Sequence, residues 1–118
     1  GCDASVLIDS TEDNITEKDA VPNLSLRGFE VIDEIKASVE EELLCRGLVS
    51  CADILALATR DALALSGGAD YKVPCGRRDG VVSKVEQVKI PGPTFSIDAA
   101  LNVFNAVGLN ITDLATLL

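Results

Sequence analysis

The 118 residues contain no histidine, no methionine and no tryptophan. The first absence excludes the most. Histidine is the commonest general base near neutral pH, the commonest axial ligand of haem iron and a member of most zinc sites. Acting alone as an enzyme, this chain needs carboxylate, lysine or cysteine chemistry. Without methionine, residue 1 is not a translation start, so the chain reads as processed or as a piece of a longer one. Aromatics are scarce, at 3% against 47% hydrophobic residues, so any core is aliphatic. No apolar run approaches the roughly 18 residues that span a bilayer, and no signal peptide is visible. Ten basic residues face 19 acidic ones, for a net charge of −9. A surface of that sign argues against nucleic-acid phosphate and anionic membranes as partners.

What is present suits one domain. Cys2, Cys45, Cys51 and Cys75 permit two disulfides in three pairings, and their wide spacing without histidine is unlike a zinc site. Three sequons, at Asn14, Asn23 and Asn110, fit a secreted chain.

Periodicity predicts an all-α chain. Residues 9–25 are polar and turn-rich and read as a loop, with Ser25 as the cap of a first helix. Phe29, Ile32, Ile35, Val39 and Leu43 then form an apolar stripe opposite Glu30, Asp33, Glu34 and Glu40, and Lys36 can pair with Glu40. Ser50 to Ser66 is the clearest helix. Ser50 and Asp53 make an S-x-x-D capping pattern, Ile54, Leu57, Ala58, Ala62 and Leu65 share one face, and Gly67-Gly68 ends it. Residues 69–95 are irregular, with Val82, Val85 and Val88 as marks of a short helix weakened by β-branching. Ser96 caps a third helix that buries Ile97, Leu101, Phe104 and Val107 and stops at Gly108. Thr112-Asp113 starts a fourth that is unterminated at Leu118, as in a fragment.

The opening pentapeptide sets oxygen donors at alternate positions: the Gly1 carbonyl, the Asp3 carboxylate and the Ser5 hydroxyl. Such alternation can wrap calcium, which takes six to eight oxygens. Three donors make half a site. The same residues also read as a turn or a helix cap at Val6.

Four blocks stand in register: G-C-D-A-S-V-L-I-D at 1–9, L-R-G-F-E-V-I-D at 26–33, V-S-C-A-D-I-L-A-L-A at 49–58 and V-P-C-G-R-R-D-G at 73–80. With T-E-K-D-A at 16–20, I-P-G-P at 90–93 and G-L-N at 108–110, they resemble the secretory plant (class III) haem peroxidases over nearly the whole chain. In that family F-H-D-C-F-V, with the distal histidine, precedes the first block, and S-G-A-H, with the proximal one, follows the last segment. The resemblance therefore implies that residues 1–118 are a partial peroxidase domain lying between the two histidines.

Its further implications concern individual residues. Gly1, Asp3 and Ser5 match half of a distal calcium site, and Glu17 matches a glutamate linked to it through water. Asn23 matches the asparagine that hydrogen-bonds the distal histidine, a role at odds with glycosylation of its own sequon. Ser25 matches a residue near a haem propionate, against plain helix capping. Pro91 matches the backbone that meets aromatic donors at the haem edge, against a plain turn. None of the 118 residues matches a directly catalytic group. Arg77 and Arg78 match structural positions, paired with carboxylates such as Asp53 or Asp79. Cys2, Cys45 and Cys51 match disulfide cysteines whose partners fall outside the chain.

The chain departs from the family in three places. One residue is missing between Asn23 and Arg27, Cys75 replaces an aliphatic residue, and Leu118 replaces a serine. The implied parent is a secreted, monomeric enzyme of the cell wall or vacuole. It uses haem b and calcium to reduce hydrogen peroxide and oxidise phenolic donors, in response to oxidative stress. The isolated chain is expected to be inactive. The alternatives are a non-catalytic calcium-binding or structural helical module and an acidic interaction domain.

Overall fold

The computed structural model describes residues 2–42 and 46–117. Within them are four α-helices: α1 (Phe29–Glu42), α2 (Cys51–Leu65), α3 (Ile97–Asn105) and α4 (Ile111–Leu117). Among the described residues there is no strand, only an isolated bridge between Thr11 and Asn14. The all-α expectation holds. The stretch 9–25 is more ordered than a loop, since it carries single 3-10 turns at Glu17–Asp19 and Val21–Asn23, and two more lie at Ser5–Leu7 and Val85–Gln87.

Helix α1 begins later than Ser25 suggests. The Gly28 carbonyl accepts the N–H groups of Val31 at 3.2 Å and Ile32 at 3.3 Å. Gly28 has φ +85, a conformation that disfavours any other residue there. Ser25 is exposed and lies ahead of the helix, so it is not its cap. The apolar stripe is otherwise as expected. Ile32 is buried, Phe29, Ile35 and Val39 are half-buried, and Leu43 lies outside the described residues. Lys36 pairs with Glu40 at 2.8 Å.

Helix α2 is held by a loop far along the chain. Ser50 Oγ accepts the Asp53 N–H at 3.1 Å, half of the expected capping box. The Asp53 carboxylate does not return to Ser50. It accepts the N–H groups of Gly76 at 2.6 Å and Arg77 at 3.2 Å, and the Arg77 guanidinium at 3.1 Å. Asp79 covers the helix start instead, accepting from Cys51 N at 3.0 Å and Ala52 N at 2.8 Å. An anion over a helix N-terminus also opposes the helix dipole favourably. At the far end Gly67 (φ +89) donates to Ala64 O and Gly68 donates to Leu63 O, the paired bonds of a glycine-terminated helix. Ile54 is buried and Leu57 and Ala58 half-buried, but Ala62 and Leu65 are exposed because no element packs on the last turn of α2 among the described residues.

Helices α3 and α4 close on one another through Ala100, Phe104 and Leu114, with Leu101 at the margin. Ser96 Oγ caps α3, accepting the Ala99 N–H at 3.3 Å. Ile97 and Val107 are exposed, contrary to expectation. Ile97 opens the first turn and Val107 lies past the last, and the seven-residue α4 seals only the stretch between. Asn110 starts α4 ahead of Thr112-Asp113: its Oδ1 accepts the Thr112 N–H at 2.7 Å, and Asp113 accepts the Asn110 N–H at 2.8 Å. Apolar burial is thus divided between α1–α2 and α3–α4. The shape follows, a slab of 48 × 42 × 23 Å with a radius of gyration of 15.7 Å, against roughly 13.5 Å for a compact domain of this length.

Candidate functional site

The N-terminal loop, the Glu17 turn and the segment after Arg78 converge on one cluster of oxygens. Ser5, buried, places its Oγ 2.9 Å from Asp3 Oδ1 and 2.9 Å from Glu17 Oε2. A hydroxyl carries one proton, so it cannot donate fully to both carboxylates. Among the described residues neither acid is in a side-chain ion pair. The Ser5 hydroxyl holds the Asp3 carboxyl below the usual carboxylate range, outweighing the opposing effect of burial.

The backbone is bent to make this meeting. Cys2 (φ 64) and Ala4 (φ 58) are both left-handed, a conformation that costs a non-glycine residue about 1 kcal/mol or more. They flank Asp3 and turn the chain back on itself. Gly80 backs the loop, its N–H donating to Asp3 O at 2.7 Å. A Cβ on Gly80 would fall 2.5 Å from Asp3 Oδ2, so a larger residue there would displace the Asp3 carboxylate from its present position.

Glu17 is fixed from two sides. Thr16, fully buried, donates its hydroxyl to Ile8 O at 2.7 Å, and its N–H donates to Ser10 Oγ at 2.9 Å. The Glu17 N–H donates to Ser83 Oγ at 3.0 Å. Ser83, 4% exposed, is held in turn by Asn14 Nδ2 on its carbonyl at 3.1 Å. Sequence reasoning missed both Gly80 and Ser83. The only local signal for Ser83 was a lone small polar residue set between Val82 and Val85.

Asn23 closes the arrangement. Half-buried, it donates Nδ2 to the Glu17 carbonyl at 2.7 Å, which leaves Oδ1 available as an acceptor. Asp3, Ser5, Glu17 and Asn23 all line a cleft of about 750 Å³, with apolar walls that include Leu26 and Ile90. Ser25 and Pro91 are neighbours of those two wall residues but do not line the cleft themselves. Gly1 lies outside the described residues.

The donor set is hard oxygen, two carboxylates, a hydroxyl and nearby carbonyls, which suits calcium or magnesium and not zinc. No group of three histidine, cysteine or acidic side chains with metal-binding geometry occurs among the described residues. Asp3, Ser5 and Glu17 are therefore at most part of a shell that needs further oxygens. Among the described cysteines, Cys2 and Cys75 are exposed and Cys51 is half-buried, with no disulfide between them, and Cys45 lies outside the described residues. Burial, followed by the nearby Asp79 carboxylate, pushes the Cys51 thiol up. Arg77 is engaged by Asp53, the structural role expected of it, and Arg78 is exposed.

Comparison with known proteins agrees with the resemblance. A profile of the peroxidase family matches residues 1–118. Peroxidase 44 of Arabidopsis thaliana is 49% identical over 118 residues, covering 100% of this chain and 37% of its own. Peroxidase N of Armoracia rusticana is 53% identical over 119 residues, covering 99% of this chain and 35% of its own. The chain thus spans somewhat more than a third of the length of these relatives, with the oxygen cluster and Asn23 inside the matched region. It belongs to the peroxidase family, in its plant class III branch.

Proposed function

We propose that this chain forms one side of the distal calcium site of a haem peroxidase and carries the amide that orients the distal histidine. The protein it belongs to would reduce hydrogen peroxide and oxidise small phenolic donors by one-electron steps, in response to oxidative stress. The observation that carries this reading is the double role of Glu17. Its carboxylate meets Ser5 at 2.9 Å, and its carbonyl holds the Asn23 amide at 2.7 Å. One residue therefore joins the oxygen cluster to the hydrogen-bonding group in the cleft.

Asp3, Ser5 and the Gly1 carbonyl would coordinate calcium, with Glu17 reaching it through water. The charge of two neighbouring carboxylates is then compensated by the cation. Asn23 Oδ1 would accept the N–H of a distal imidazole, keeping its other nitrogen basic enough to take a proton from peroxide. Haem b, when bound, supplies the redox chemistry of peroxide reduction. Leu26 and Ile90 give the cleft an apolar face beside Asn23. Ser25, exposed on the turn before α1, would approach a propionate, and the Pro91 backbone would meet donors at the haem edge. Cys2, Cys45 and Cys51 would form disulfides with cysteines elsewhere in a secreted, monomeric parent of the cell wall or vacuole. The isolated 118 residues would be inactive.

The test is the full-length protein. Its sequence should supply F-H-D-C-F-V before residue 1 and G-A-H after residue 118, Leu118 standing in the place of the motif's serine. The purified protein should give a Soret band and peroxide-dependent guaiacol oxidation, and residues 1–118 alone should give neither. Replacement of either histidine, or a haem-loaded protein without turnover, would overturn the reading.

A further inference from the structure

The segment from Gly80 to Ser83 touches the backbone of both acids in the oxygen cluster. Gly80 N–H donates to Asp3 O at 2.7 Å, and Ser83 Oγ accepts the Glu17 N–H at 3.0 Å. Asp3 and Glu17 come from different turns and have no backbone bond to each other, so this strap links the turns that bear them. The strap is itself anchored. Asn14 Nδ2 donates to Ser83 O at 3.1 Å, and Val85 N–H donates to Ile15 O at 3.1 Å. Ser83 is 4% exposed, and Ser5 and Thr16 are buried in the same turns that carry the two acids.

We infer that Ser83 is a positioning residue for calcium: it fixes the backbone of Glu17 so that its carboxylate stands opposite Ser5 and Asp3. The inference rests on the calcium reading above and extends it to a residue that touches no cation. Two like charges held near one hydroxyl repel, and without a cation the Glu17 side chain, or the turn that carries it, can swing away. An acceptor fixed on the Glu17 N–H opposes movement of the turn and preorganises the shell before the ion arrives. Side chains that orient ligands in this indirect way change metal affinity by about tenfold to a hundredfold when removed.

The experiment is calcium titration of the full-length protein, with calcium alone as probe and a competing chelator as readout. Wild type, Ser83→Ala, Ser83→Thr, Glu17→Gln and the Ser83→Ala/Glu17→Gln double variant are compared, with melting temperature in chelator as a second readout. Ser83→Ala should weaken calcium binding about tenfold, and Ser83→Thr, which keeps the acceptor, should recover most of it. In the Glu17→Gln background Ser83→Ala should add little, because its effect passes through Glu17. A lower melting temperature with unchanged calcium affinity would mean a merely structural serine and overturn the inference. Should Ser83→Ala not fold, Asn14→Ala loosens the same strap and should weaken calcium in the same direction; unchanged affinity there also overturns it. If Glu17→Gln weakens binding and Ser83→Ala does not, only the strap fails. If wild type binds no calcium, the calcium reading fails and the inference with it; if wild type binds calcium and Glu17→Gln is silent, Glu17 has no part in the site and the inference alone fails.

Discussion

Asn23 hangs from the main chain of Glu17: its Nδ2 donates to the Glu17 carbonyl at 2.7 Å. The amide is thereby oriented, with the nitrogen turned to the protein and the oxygen left for a partner across the cleft. A residue that orients a proton-transfer group acts through geometry and basicity. On the function proposed above, Asn23→Val in the full-length protein should slow the reaction with peroxide by about tenfold or more. The acid limb of its pH profile should move down, because an imidazole that loses its acceptor loses basicity. Stopped-flow rates from acid to neutral pH check both; an unchanged rate and limb would place Asn23 outside proton transfer.

The clamp between α2 and the loop at 76–79 gives a stability prediction with a definite pH dependence. Asp53 is held below the usual carboxylate range by the Gly76 N–H first, then by Arg77, and Asp3 by the Ser5 hydroxyl. A carboxyl whose folded pKa is depressed contributes stability above its unfolded value, about 3.9, and loses it as pH falls through the folded value. Denaturant midpoints of the full-length protein should therefore drop below about pH 4. The deficit of Asp53→Asn at neutral pH should shrink on acidification. A deficit that stays constant down to strongly acid pH would remove Asp53 from the clamp.

Asp79→Ala removes the acceptor of two N–H groups at the start of α2 and should cost about 1 kcal/mol, in line with the loss of a helix cap. Urea unfolding of the full-length variant measures it; a loss below a few tenths would mean that Ser50 alone caps the helix.

Cysteine chemistry separates Cys75 from the others. Cys75 is exposed, and on the reading proposed above Cys2, Cys45 and Cys51 are disulfide-bonded in the parent whereas Cys75 is free. Maleimide labelling of the unreduced, folded full-length protein, followed by peptide mapping, should mark Cys75 and leave the other three for labelling after reduction. Early labelling of Cys51 would contradict the disulfide reading, more so because burial raises its thiol pKa.

The sequons divide by geometry. Asn14 and Asn23 commit Nδ2, the atom that would carry a glycan, to Ser83 O and Glu17 O. Asn110 is exposed and uses Oδ1, not Nδ2, to cap α4. Glycopeptide mapping of the full-length protein from its native source should find Asn14 and Asn23 unmodified, with Asn110 the position open to a glycan. A glycan on Asn23 would exclude its role in the cleft.

Local chemistry made much of this fold legible. Ser50, Ser96 and the Gly67-Gly68 pair act within a few residues of themselves, so each reads directly from the sequence. Ser25 misled because the cap preference of serine is weaker than the turn that Gly28, at positive φ, imposes further on. Ile97, Leu65 and Val107 have helical spacing but no packed partner among the described residues, and periodicity cannot tell a buried stripe from an open one. Asp53 read as a local cap, yet its carboxylate bonds residues 23 and 24 positions away. Ser83 and Gly80 were invisible for the same reason: their partners lie 66 and 77 residues back. The residues matched to the family by motif, Asp3, Ser5, Glu17 and Asn23, do come together, but what holds them in place is tertiary.

The most direct test is calcium removal from the full-length protein. Metal analysis should find calcium bound. Its extraction by chelator should lower the rate with peroxide and alter the haem absorption spectrum, and added calcium should restore both. A protein that contains no calcium, or whose peroxide reaction is indifferent to its loss and return, would contradict the calcium-binding role of Asp3, Ser5 and Glu17.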